Sequence, residues 1–189
     1  MSRIFSITLI CAAFIIGIQA CHQDKNIHKE IIKSFYKGLN TGEFSRVADC
    51  VTDSITLSEK QFIIAQSSDD LYRMFQWDSV FQPDFTIKEI NQSDTGTFVI
   101  VSKICKRIAY LQDSALIYKV KVEFDENKIS SMKTIDYLSV NFGVWKPRRD
   151  TLSMWISENH PELDGFVRDM TPTGAQKYLE AIELYESAH

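Results

Sequence analysis

Leu116-Ile117-Tyr118-Lys119-Val120-Lys121-Val122-Glu123-Phe124 is the stretch that decides the fold. Leu116, Tyr118, Val120, Val122 and Phe124 form one row, and Ile117, Lys119, Lys121 and Glu123 form the other. The period is two, with one apolar face and one mostly charged face. That is the pattern of an antiparallel strand buried on one side. Upstream, Phe98, Ile100, Ile104, Ile108 and Tyr110 share one parity, with Lys103 and Arg107 on the other. Val99 and Val101 join that second row, so both faces are covered near the strand start. This stretch predicts a strand over 97–110. Gln112-Asp113-Ser114 then reads as a hairpin turn. Asp125-Glu126-Asn127 makes a second turn, into a strand over 129–140. Long strands joined by short turns make a meander and not βαβ units.

Ahead of the sheet lies an amphipathic helix. Ile27, Ile31, Ile32, Phe35, Tyr36 and Leu39 form a stripe at helical period, and Asn40-Thr41-Gly42 ends it. Phe44, Val47, Ala48 and Val51 mark a second, short helix. Residues 54–65 admit two readings. Ile55, Leu57 and Phe62-Ile63-Ile64 suggest strands, whereas Ser58 with Gln61 fits a helix-capping box. Ser67-Ser68-Asp69-Asp70 opens a helix that stops before Pro83, and Asp84–Asn91 is a strand. Beyond Trp145-Lys146-Pro147 the helical pattern returns around Leu152, Trp155 and Ile156. Pro161 and Thr171-Pro172 fit helix starts. The last helix carries Ala175, Tyr178, Leu179, Ile182 and Tyr185 on one stripe. That stripe must be buried, against the outer sheet face, the mouth of the sheet, or a second copy.

The first twenty residues read as a targeting segment. Arg3 precedes an apolar run from Ile4 to Ile18, and Ile18-Gln19-Ala20-Cys21 follows. A small residue before Cys resembles the lipobox of bacterial lipoproteins, although Gln19 departs from it. The alternatives are an ordinary secretory peptide or a membrane anchor, for which the run is short. The lipoprotein reading implies a lipid on Cys21, a mature chain starting there, and attachment to a bacterial membrane in the cell envelope. Residues 21–26 would be a tether, 27–140 the main domain and 141–189 a helical extension.

Composition narrows function without naming it. The chain is 44% hydrophobic and 24% charged with a formal net charge of −4. These are ordinary values for a soluble domain, and the acidic balance argues against nucleic acid. His22, His28, His160 and His189 show no ligand spacing, so no metal and no cofactor is expected. No phosphate-binding glycine loop or nucleophile elbow occurs. Cys50 and Cys105 read as two buried free thiols, with a disulfide as the alternative. Asp136 shares parity with Met132, Thr134, Leu138 and Val140, and a carboxylate in such company suits acid–base chemistry. The competing reading pairs it with a sheet lysine or leaves it in water. Phe35, Tyr36, Tyr110 and Tyr118 belong to an aromatic set that could line a ligand cavity or simply fill a core.

This order of elements resembles the nuclear transport factor two-like superfamily, on residues 27–140 and with the loose cues Asn40-Thr41-Gly42-Glu43 and Asn127-Lys128-Ile129. Together with Phe75-Gln76-Trp77-Asp78-Ser79-Val80-Phe81, it is similar to envelope lipoproteins of that superfamily. The resemblance implies an α+β fold in which a curved antiparallel sheet wraps on N-terminal helices as a cone, here with a C-terminal helical extension. It also implies two function classes. One is a non-enzymatic module that holds a small apolar ligand or an envelope protein. The other is an isomerase, dehydratase or hydrolase with an acidic residue in the cone. None of the family's catalytic motifs matches this chain residue by residue. A tail packed on its own subunit would make the protein a monomer. The first expected outcome concerns the anchor. Radioactive fatty acid should label the wild type and not Cys21→Ser, and equal labelling would overturn the lipoprotein reading.

Overall fold

The computed structural model describes residues 26–93 and 95–189. The expected targeting segment, the proposed lipidation residue Cys21 and most of the expected 21–26 tether lie outside the described residues, as does Asp94 of the β3–β4 turn. Six strands form one curved, open sheet, in the order β2-β1-β6-β5-β4-β3. They are β1 (Val51–Glu59), β2 (Phe62–Ala65), β3 (Asp84–Ser93), β4 (Gly96–Ile104), β5 (Leu116–Asp125) and β6 (Lys128–Tyr137). All neighbours are antiparallel except β1 and β6, which run parallel. The two strand signals in residues 54–65 are therefore real, and no helix forms there.

Helix α1 (26–41) fills the concave side. Ile32, Phe35 and Tyr36 are buried there with Val99, Val101, Val120, Val122, Ile129 and Met132. Gly42, at φ +70, turns the chain out of this helix, a conformation that glycine adopts without steric cost. The Asn40 side-chain amide fixes the far end of α1. It donates to the Phe85 carbonyl at 2.8 Å and accepts from the Phe85 N–H at 2.7 Å. Helix α2 (Phe44–Asp49) follows, then β1 and β2, and then α3 (Ser68–Ser79). Ser67 caps α3, accepting from the Asp70 N–H at 3.1 Å.

Register shifts bend the sheet. Between Ile87 and Glu89 on β3, and at Ile135 on β6, one strand carries an extra residue opposite its partner. Such bulges increase local twist and switch which face a side chain takes.

The strand predicted over 97–110 is shorter than its apolar pattern. Strand β4 ends at Ile104, and Lys106–Gln112 is a helix, α4. Ile104 and Ile108 fit helical spacing as well as alternation, and Ile108 and Leu111 are buried on one side of α4. Cys105 sits at the helix start, not mid-strand, and its Sγ accepts from the Ile108 N–H at 3.5 Å. Asp113, at φ 59, ends the helix, so Gln112–Ser114 is a helix terminus and not a hairpin turn. The inward face of β4 also differs from the majority parity. Val99 and Val101 are fully buried, whereas Phe98 and Ile100 lie on the convex side. The second turn behaves as expected, with Asp125 opposite Lys128.

The C-terminal region forms a second core. Helix α5 spans Phe142–Asn159 and includes Pro147, so it begins earlier than the sequence pattern. A short 3-10 turn, Pro161–Leu163, precedes α6 (Pro172–Ala188), which Thr171 caps. Leu152, Ile156, Leu163, Phe166, Tyr178 and Ile182 pack against Trp77, Phe81, Cys105 and Ile108. The stripe on α6 is thus buried on its own chain, beside the end of α3. Arg107 joins these elements. Its guanidinium lies 5.0 Å from the Trp77 ring centroid, 5.6 Å from Phe81 and from Trp145, and 5.9 Å from Tyr178. Each such cation–π contact is favourable, the more so when water is excluded.

The tail therefore shares its core with the end of α3 and with α4. Ile156→Ala should cost about 2–5 kcal/mol in urea unfolding. Met154→Ala, at a site 61% exposed, should stay within about 0.5 kcal/mol. Equal, small effects would mean that the tail is not integral.

Candidate functional site

A cavity of about 220 Å³ lies between α1, α3 and the concave sheet. Its inner wall comes from Phe35, Tyr36, Leu71, Val120 and Met132. Its rim is apolar too. Trp77 on α3, Ile64 on β2 and Met170 ahead of α6 stand there, with Ile64 44% and Met170 54% exposed. The Trp77 indole N–H donates to the Asp169 carbonyl at 3.1 Å, tying the tail segment to this rim.

Four polar side chains interrupt the apolar lining near β4 and β5. Lys103 Nζ donates to both carboxylate oxygens of Asp78, at 2.6 and 2.7 Å. The pair is largely withdrawn from water, with side-chain exposures of 14% and 19%. The ammonium also rests over the Phe85 ring, 5.0 Å from its centroid. Tyr118 stands opposite Val101, two positions from Lys103 on the adjoining strand. Diagonal neighbours on one sheet face are within reach of long side chains. Tyr36 reaches the same wall from α1 and packs on Phe85 at 5.7 Å.

Burial raises the Tyr36 phenol above its ordinary range, and a hydrogen bond with Tyr118 partly offsets the rise. Burial also raises the Tyr118 phenol, and the adjacent Tyr36 and Asp78 add to the rise. Both therefore remain protonated at physiological pH and serve as neutral hydrogen-bonding groups. Asp78 is the only carboxylate lining the cavity among the described residues.

The structure brings Phe35, Tyr36 and Tyr118 together in the lining of this cavity. Tyr110 is elsewhere. It lies on α4, in a surface groove against α5 and α6, edge-on to Tyr185 at 6.1 Å. Burial pushes its phenol up to about 12, with Tyr185 and Tyr178 contributing. Asp136 is also outside the cavity. The extra residue at Ile135 flips the parity of β6, so Thr134 lines the cavity while Asp136 pairs across the sheet with Lys119. Asp136 is exposed and accepts from the Tyr137 N–H at 2.9 Å. It therefore lacks the apolar company inferred from alternation. Tyr137 takes the inward place beside Tyr118, ring centroids 6.3 Å apart. Local sequence pattern does not mark Asp78 and Lys103 as site residues. One signal was present, since Lys103 shares the parity of the buried Val99 and Val101.

No family model matches the chain, and no curated protein matches it. Solved structures do. One is a protein of unknown function with a cystatin-like fold from Methylobium petroleophilum PM1, at TM-score 0.51 and 14% identity, covering 61% of this chain and 78% of that one. Another is a putative ketosteroid isomerase from Kribbella flavida DSM 17836, at TM-score 0.51 and 13% identity, covering 61% and 81%. A third is Bal32a from a soil-derived mobile gene cassette, at TM-score 0.52 and 9% identity, covering 65% and 95%. At such identities the likeness speaks for architecture. The chain has a cone-shaped α+β fold like that of the cystatin-like structure, extended by C-terminal helices.

Proposed function

We propose that this protein is a non-enzymatic binder of small apolar molecules, held at the cell envelope by a lipid on Cys21. The observation that carries the binding reading is the aromatic-lined cavity, whose carboxylate, Asp78, already gives both oxygens to Lys103. A general base needs a free lone pair within reach of the proton it takes. Asp78 has its best acceptor positions filled by a cation. The tyrosines beside it hold their protons. These features favour holding a ligand over transforming one.

The competing reading is a small-molecule isomerase, dehydratase or hydrolase, and one structural neighbour bears the name putative ketosteroid isomerase. That reading would have to employ Asp78 with Tyr118, since Asp136 faces away. It requires the Asp78–Lys103 pair to open when substrate enters.

The neutral fluorophore N-phenyl-1-naphthylamine tests the binding reading. The protein should enhance its fluorescence in a saturable manner. Val120→Trp, which fills the cavity, should weaken binding by about tenfold or more. A matched Lys119→Trp on the opposite face should leave it unchanged. Equal binding by all three proteins would place the probe elsewhere and defeat the proposal.

A further inference from the structure

The polar end of the cavity restricts what the ligand can be, given the binding function proposed above. A lysine ammonium has three N–H donors. Two of those on Lys103 go to Asp78, at 2.6 and 2.7 Å, and no third acceptor is in hydrogen-bond range among the described residues. The Tyr118 hydroxyl lies along the same wall, diagonal to Lys103 across β4 and β5. Tyr36 stands beside Tyr118. Apart from the hydroxyls of Ser58 and Thr134, the remaining lining is aromatic and aliphatic. One uncommitted N–H and a hydrogen-bonded pair of phenols are thus gathered on one wall of a mainly apolar space.

Charge decides between ligand classes. Asp78 and Lys103 sum to zero, so a neutral ligand leaves the cavity neutral. A carboxylate would add a second negative charge beside Asp78, in a space with little water to solvate it. An ammonium would find both Asp78 oxygens engaged. Uncompensated charge in such surroundings is strongly disfavoured. A pure hydrocarbon would cover the free N–H and the hydroxyls without replacing their hydrogen bonds to water, which also carries a cost. An oxygen that accepts from Lys103 or a tyrosine avoids both penalties. The small volume, about 220 Å³, admits a compound of one or two rings and no long acyl chain.

We propose that the cavity selects a neutral, ring-sized apolar compound carrying one hydrogen-bond-accepting oxygen, a ketone or alcohol, received by Lys103 and the Tyr36–Tyr118 pair. Calorimetric titration with three naphthalenes of one shape provides the test: 2-acetylnaphthalene, 2-ethylnaphthalene and 2-naphthoate. The ketone should bind at least about tenfold tighter than the hydrocarbon, the gain expected of one hydrogen bond to a charged donor. The acid should be the weakest of the three. Lys103→Met alone would strand the Asp78 charge and risk unfolding, so the informative variant is Asp78→Leu/Lys103→Met, which replaces the pair by apolar groups. With its fold checked by circular dichroism, this variant should keep only a reduced preference for the ketone, from the tyrosine hydroxyls, and adding Tyr118→Phe should reduce it further. A hydrocarbon equal to the ketone in the wild type, an acid that binds tightest, or a preference undiminished by the double change would each overturn the proposal while leaving apolar binding intact. Failure of all three compounds to bind would overturn the binding reading itself.

Discussion

The structure is governed by a mismatch of widths. Six strands at about 4.8 Å spacing make a sheet roughly 24 Å across, whereas one helix with its side chains is only about 10 Å wide. Helix α1 alone cannot cover the concave face. Curvature reduces the area to be covered, and the bulges in β3 and β6 supply it. Helix α3 covers part of the remainder from the β1–β2 side, through Leu71. What neither helix reaches is left as the cavity. The tail then becomes necessary, because Trp77 and Phe81 at the end of α3 would otherwise face water.

The same geometry explains why the polar groups gather where they do. Away from the cavity the cone is closed by close-packed aliphatic side chains such as Val47, Val51 and Ile129. Toward the end of β4 the walls diverge, and a lysine on the inward face can be accommodated there only with a partner. Asp78 supplies it from α3, one residue before the helix ends. The pair ties α3 to β4, while the Asn40 amide ties α1 to β3. Two sets of directed hydrogen bonds thus fix the helices on either side of the opening, where apolar packing is thinnest. Removing one member of such a pair costs far more than replacing both, because a lone charge stays behind in poor solvent.

Much of this was legible in the sequence, for identifiable reasons. Leu116–Phe124 alternates cleanly and lies near the centre of the sheet, so local pattern and tertiary environment agree. The α6 stripe likewise matches its burial, apart from half-covered Leu179 and Tyr185. The misreadings fall where the backbone departs from regularity. Alternation puts Asp136 in apolar company because it assumes an unbroken strand; one extra residue at Ile135 reverses the parity, and Asp136 is exposed opposite Lys119, as the competing reading has it. The apolar pattern carries strand β4 on to residue 110 because Ile104 and Ile108 satisfy both periods. The helix that forms instead carries Tyr110 away from the cone. The Asp78–Lys103 contact joins residues 25 apart on a helix and a strand. No local spacing rule addresses such a pair.

Cys50 and Cys105 are free and buried, at 6% and 4% exposure. They belong to different hydrophobic clusters, Cys50 to the cone and Cys105 to the tail. Burial raises the Cys50 thiol above its usual range, which further slows its reaction. Each thiol becomes reactive only when its own cluster opens to solvent. The chain thus carries one native chemical reporter for each half, and their relative rates of alkylation register whether cone and tail breathe separately or as one cooperative unit.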